Sequence, residues 1–201
     1  MKLKKVLTSK SKLIRLQLLK SKTYKLTRSD NKYIKLEYIE LHLKKALQII
    51  YNYHFNNKKI FFVGVPKKVQ QNFVKTLQKT QHLFIPESTW INGILSNKVS
   101  IFKYIHQQIN TNIKTKKKSD IKSLFEIQQK PDLIVIFNKA AELNALQEGN
   151  KLRIPTIVVT DSLNVDSSIL YKIPGNFHFL NKKLNNIFFI LLNSIFKKLN
   201  N

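Results

Sequence analysis

The chain has no cysteine, which excludes a disulfide framework and any thiolate metal site. Its five histidines, His42, His54, His82, His106 and His178, include no pair at the i,i+4 spacing of helical ligands, so a structural zinc is not expected. Glycine is nearly as scarce. Gly64, Gly93, Gly149 and Gly175 are the whole set, and no two lie within six residues of each other. Phosphate-cradling loops need clustered glycines, because backbone N–H groups must approach the phosphate where a Cβ would clash. Neither a dinucleotide fingerprint nor a Walker loop can therefore be written anywhere in the chain. Long apolar runs are missing too. The longest, IFFILLNSIF (187–196), is broken by Asn193 and Ser194 and falls well short of the roughly 20 residues a membrane span needs; it reads as the core face of a terminal helix.

Acidic residues are the most telling shortage: 11 against 36 lysines and arginines, a formal net charge of +25 over 201 residues. Such an excess repels itself in a compact state and asks for a polyanionic partner, either nucleic acid or an anionic membrane surface. Residues 1–30 hold ten basic side chains and one acidic, so the excess is weighted towards the start of the chain. Only Arg15, Arg28 and Arg153 are arginine. Lysine is a mobile point charge, suited to phosphate backbone more than to base edges, although an AT-rich genome also enriches lysine over arginine.

The length suits one domain with a real core and extensions. Residues 1–32 are basic, serine-bearing and almost free of acid. They resemble a transit peptide in composition but are expected to be a retained basic arm, with residues 33–201 forming the domain. From Tyr33 to Phe55 apolar residues recur at helical spacing. Lys58–Pro66 is a short apolar strand, Lys67–Thr80 returns to helical period, and His82–Pro86 is a second strand. Helices are expected over 96–109, 121–130, 139–152 and about 180–199, with buried strands at Asp132–Phe137 and Thr156–Thr160. Short apolar strands alternating with amphipathic helices mean βαβ units and a parallel sheet covered on both faces.

The segment KLRIPTIVVTDSLNVDSSILYKIPGN (151–176) raises the question of a ligand, since open parallel sheets bind ligands beyond the carboxyl ends of their strands. The loop after the first strand, VGVPKK, lacks the second glycine and the Ser or Thr of a P-loop. Lys67 and Lys68, at a helix start, either hold an RNA phosphate or are simply solvated. Asp161 and Asp166 flank the later loop, where an Asp more often caps or braces a turn than catalyses.

Several ordered motifs in this chain resemble the small-subunit ribosomal protein two family. They are Pro131-Asp132, Glu142 and Glu148 six residues apart, Leu152, Ile154-Pro155, Asp161 and Ile173-Pro174-Gly175-Asn176. KKIFFVGVPKKVQQNFVKTL resembles the family's strand and "VGT" loop, and STWINGILSNKVSI its "RW.GG.LTN" segment through Trp90, Gly93, Leu95 and Asn97. The likeness spans about Tyr33 to Ile195. Departures exist: Thr89 stands for the family's Arg, Asn92 for its first Gly, and the early "G.H.GH" motif is absent. Where the family carries a long helical hairpin, only the lysine-rich connection KTKKKSD (114–120) remains. Such reduction is more typical of mitochondrial members.

The resemblance implies a flavodoxin-like (Rossmann-like) α/β/α sandwich without enzyme activity, cofactor or small-molecule substrate. It would sit on small-subunit ribosomal RNA among neighbouring ribosomal proteins, on the solvent side near the head and body junction, without stable membrane insertion. The expected compartment is the mitochondrion, with a plastid or an AT-rich bacterial cytoplasm as the alternative. Candidate RNA contacts are Lys4, Lys5, Lys10, Lys12, Arg15, Lys20, Lys22, Lys25 and Arg28 in the arm. Lys67, Lys68, Asn97, Lys98, Lys114, Lys116, Lys117 and Lys118 join them from the domain. Trp90, Gly93, Asp161, Pro174, Gly175 and Asn176 are expected to be structural. The arm is expected to lay its lysines along RNA while Leu13–Leu19 dock on a neighbouring protein or on its own domain. Two rival readings remain: a nucleotide-binding α/β enzyme, and a membrane-surface protein using Leu13–Leu19 as an interfacial helix.

Overall fold

The computed structural model describes residues 12–20, 23–24, 34–65, 67–86, 90–97, 99–103, 130–137, 143–160, 169, 171–175 and 187–198. In chain order they form α1 (12–20), α2 (Leu36–Phe55), β1 (Ile60–Val65), α3 (Lys67–Leu77), β2 (Leu83–Pro86), β3 (Leu133–Ile136), α4 (Leu143–Lys151), β4 (Thr156–Thr160), β5 (Tyr171–Pro174) and α5 (Ile187–Lys198). The five strands make one sheet in the order β2-β1-β3-β4-β5, every pair parallel. This is the flavodoxin-like order.

Alternation along the strands divides the core. Ile60, Phe62, Leu133, Val135, Ile157, Val159 and Ile173 point to one face, under α2, α3 and α5. Phe61, Val63, Ile134, Ile136 and Val158 point to the other, where α4 and residues 90–102 lie. α2 forms because Ile39, Leu43, Ala46 and Ile50 repeat every three or four residues and bury together. α5 brings three phenylalanines and a leucine to the same layer: Phe188, Phe189 and Phe196, with Leu192 between them, are all buried.

One strand departs from expectation, and the docking of the first helix takes one of its two expected forms. No strand is expected after Thr160, yet β5 forms there; it is half-buried, carries Tyr171 and Lys172, and is recognisable as a strand only through its pairing with β4. At the other end of the chain α1 docks on its own domain: Leu18 is fully buried, and Ile14 and Tyr24 pack on the same cluster. Thr23 closes this turn by donating from its N–H and its hydroxyl to the Leu18 carbonyl. Of the helix expected at 96–109, 99–103 is helical, 96 and 97 close the preceding turn, and the rest lies outside the described residues; the helix expected at 121–130 lies outside them apart from Lys130.

Candidate nucleic-acid interface

In a sheet of this order a ligand would be sought beyond the carboxyl ends of β1 and β3, where the strand order reverses. There Gly64 takes a positive φ of 74°, and the register with β2 shifts between Val63 and Val65. The Phe137 N–H donates to the Val63 carbonyl at 3.0 Å and ties the two strand ends together. The Phe137 ring stacks on Phe189 at 4.7 Å and meets Phe188 at 5.6 Å. Among the described residues the Phe137 side of this crevice offers buried aromatic surface, which suits core packing.

The turn at 90–97 is built on a carboxylate. Glu148, on α4 and nearly buried, accepts the N–H groups of Leu95 and Ser96 at 2.8 Å each, the N–H of Gly93 at 3.2 Å and the Ser96 hydroxyl at 3.0 Å. Converging backbone donors of this kind make an anion-binding nest, and here the chain fills it from within. Gly93 has a φ of 86°, a conformation the turn requires and that L side chains rarely adopt. Trp90 is half-buried and packs on the Phe61–Ile85 side of the core; its indole N–H is buried with no hydrogen-bond partner among the described residues. Asn97 is exposed; its N–H donates to the Gly93 carbonyl at 2.7 Å, and its own carbonyl accepts the Ile101 N–H at 3.2 Å, opening the helical turn at 99–103. At the far side of the sheet, Pro174 ends β5, and the Gly175 N–H extends the ladder by donating to Thr160 at 2.9 Å.

The basic candidates divide. Lys12 and Lys20 are exposed on α1. Arg15 donates to the buried carboxylate of Glu40 and to Glu37 at 3.1 Å, while Lys44 holds the second Glu40 oxygen at 2.5 Å. Arg15 thus pins α1 to α2, and a phosphate would have to compete with two carboxylates for it. Lys67 and Lys68 open α3 beside the switch point. Lys4, Lys5, Lys10, Lys22, Lys25, Arg28, Lys98, Lys114, Lys116, Lys117, Lys118, Asp161 and Asn176 lie outside the described residues. No site gathers the described candidates at one spot; they are dispersed over α1, the α3 start and the 90–97 turn.

His54 and His82, 28 residues apart and so joined by no local spacing, form a pair in the fold. The Ile60 N–H donates to His82 Nδ1 at 3.3 Å, and His82 Nε2 lies 2.8 Å from His54 Nδ1. With Nδ1 occupied as an acceptor, the His82 proton sits on Nε2 and is donated to His54, a chain that needs both rings neutral. Burial, and then the neighbouring His54, push His82 down to about 3, and burial lowers His54 as well.

The sequence model of the family described as "Ribosomal protein S2" matches residues 19–197. The chain belongs to this family. The match begins before Tyr33 and so takes in part of the segment expected to be a separate arm. Among relatives, the chain is similar to a "Small ribosomal subunit protein uS2" of Saccharophagus degradans, 27% identical over 164 residues, covering 71% of this chain and 66% of the relative. It is similar to those of Roseobacter denitrificans, 28% identical over 154 residues (67% and 59%), and Ureaplasma parvum, 25% identical over 172 residues (74% and 49%). The chain thus spans about half to two thirds of the length of these curated relatives. Within the region the S2 family model matches, the Glu148 nest joins the turn at Gly93–Ser96 and the helix carrying Glu148 into one hydrogen-bonded unit.

Proposed function

We propose that this protein is a structural, non-enzymatic constituent of the small ribosomal subunit, held to its RNA mainly through lysine and to neighbouring proteins through α1. The observation that carries the proposal is the family match over residues 19–197, joined to a net charge of +25. Basic residues dispersed over the described surface fit contact with phosphate backbone, where many weak charges act together and no single group is decisive. The basic segment 1–32 serves as an extension, anchored at Leu18 and reaching RNA with the lysines on either side. The buried aromatic surface at the switch point supports a scaffold reading over a nucleotide-binding enzyme. Among the described residues no helix is long and apolar enough to cross a membrane.

The compartment proposed is the mitochondrion, supported by the shortened lysine-rich connection at 114–120. The relatives being bacterial favours the alternative, a bacterial cytoplasm. Gradient sedimentation of lysate fractions tests both parts. The protein should travel with the small subunit of the organellar fraction; sedimentation only as a free protein rejects the ribosomal role, and recovery with a cytosolic subunit rejects the compartment. Affinity for small-subunit RNA should fall steeply with salt, with a log–log slope of about −0.7 per neutralised phosphate in single-stranded regions. A flat salt response would exclude phosphate contact as the source of affinity.

A further inference from the structure

The outer face of α1 carries three leucines that stay exposed in the fold. At about 3.6 residues per turn, Ile14 and Leu18 share the inner side of this helix, while Leu13, Leu16 and Leu19 share the outer side with Lys12 and Lys20. Leu13 is 61%, Leu16 51% and Leu19 53% exposed. Leu41, one turn along α2 from the Glu37 that holds Arg15, is also half exposed. The position of α1 is set, since Leu18 is buried and Arg15 is bridged to both Glu37 and Glu40. A fixed helix that shows three leucines to water marks an interaction surface.

Chemistry narrows the occupant. RNA presents phosphates, sugars and polar base edges to a protein surface, and leucine has no partner among them. A membrane would take the leucines, but an interfacial helix keeps its charges at the polar edge of its apolar face. On α1 the lysines interrupt that face: Lys12 falls between Leu19 and Leu16, and Lys20 between Leu16 and Leu13. Leucines interleaved with lysines match apolar side chains interleaved with carboxylates.

Resting on the ribosomal reading above, we propose that the outer face of α1 docks a segment of a neighbouring protein in the particle, one that presents apolar side chains alternating with Asp or Glu. The leucines fill its apolar positions, and Lys12 and Lys20 set its register.

The test uses the full chain. A photo-crosslinking phenylalanine derivative replaces Leu16, and a second variant carries Leu13→Ser, Leu16→Ser and Leu19→Ser. All three leucines are exposed, so the triple variant should keep the wild-type urea midpoint. In a competition for assembly it should enter the small subunit at least tenfold less than wild type. The crosslink should fall on a protein peptide containing acidic residues. Equal entry of the two chains, or a crosslink to RNA, overturns the inference while leaving the ribosomal role intact. Failure of the wild type itself to enter the subunit removes the role and this inference together. Flotation on vesicles of phosphatidylserine and phosphatidylcholine that is lost in the triple variant would assign the face to a membrane and overturn the protein partner.

Discussion

Replacing Glu148 by alanine removes the acceptor for four donors at once, three of them backbone N–H groups at 2.8, 2.8 and 3.2 Å and one the Ser96 hydroxyl. Hydrogen bonds to a charged group contribute about 1.5–3 kcal/mol each when buried. Ser96 and its neighbours lie near the surface, so water recovers part of that loss, and the net destabilisation should be about 3 kcal/mol. Glu148→Gln can keep a carbonyl oxygen towards the three donors that converge on Oε1 but turns an amide N–H towards the Gly93 N–H, and should lose about half as much. The chain has a single tryptophan, Trp90, at the start of this turn, so its fluorescence reports the same structure that the substitution loosens. Urea denaturation should show a lower midpoint for the alanine variant, with red-shifted native emission, and amide exchange at Leu95 and Ser96 should accelerate. A change in stability under about 1 kcal/mol with unaltered emission and exchange would refute the idea that the carboxylate holds the turn.

Gly149 tests the packing of α4 on the sheet: a Cβ there would lie 3.1 Å from Ile134 Cδ1 and 3.3 Å from Thr156 Oγ1. Gly149→Val should destabilise by about 1–3 kcal/mol in thermal melts, and a variant as stable as wild type would show that α4 can lift freely from β3 and β4. The histidine pair makes the fold sensitive to acid. His82 stays neutral down to about 3 in the fold but takes up a proton near its ordinary value of 6.5 when unfolded, so its contribution is complete above pH 6.5 and lost as pH falls from there towards 3. At about 1.4 kcal/mol per pH unit, urea stability should drop by about 2 kcal/mol between pH 6.5 and 5, a drop that His82→Gln flattens. Equal stability at the two pH values would show that the pair is not held neutral.

The strands that the sequence makes legible are those buried on both sides. Ile60–Val65, Leu133–Ile136 and Thr156–Thr160 are unbroken apolar runs, and a central parallel strand requires that pattern. β5 lacked it, because an outer strand with one wetter side can carry Tyr171 and Lys172 and draws its definition from its neighbour. The same limit hid the chemistry of the 90–97 turn. Glu148 lies 52 residues beyond Ser96, and no local spacing couples them; the only hint was an acidic side chain on an otherwise apolar helix face in a chain poor in acid. Arg15 looked like one more RNA-facing cation for a similar reason: its partners Glu37 and Glu40 come from the next helix. Lysines such as Lys12 and Lys20 stayed where the sequence put them, on the surface, because a charge without a nearby carboxylate has nowhere else to go.

Both margins of the sheet are four residues long, and both end on an imino acid: β2 at Pro86 and β5 at Pro174. An open sheet margin is a template on which another chain can add a strand, and a proline at its end offers that chain no N–H to grasp. The sheet has such a margin at each flank. The two prolines, with repulsion from the surplus lysines, disfavour edge-to-edge addition of a second copy. They equally disfavour any partner that would approach by extending the sheet.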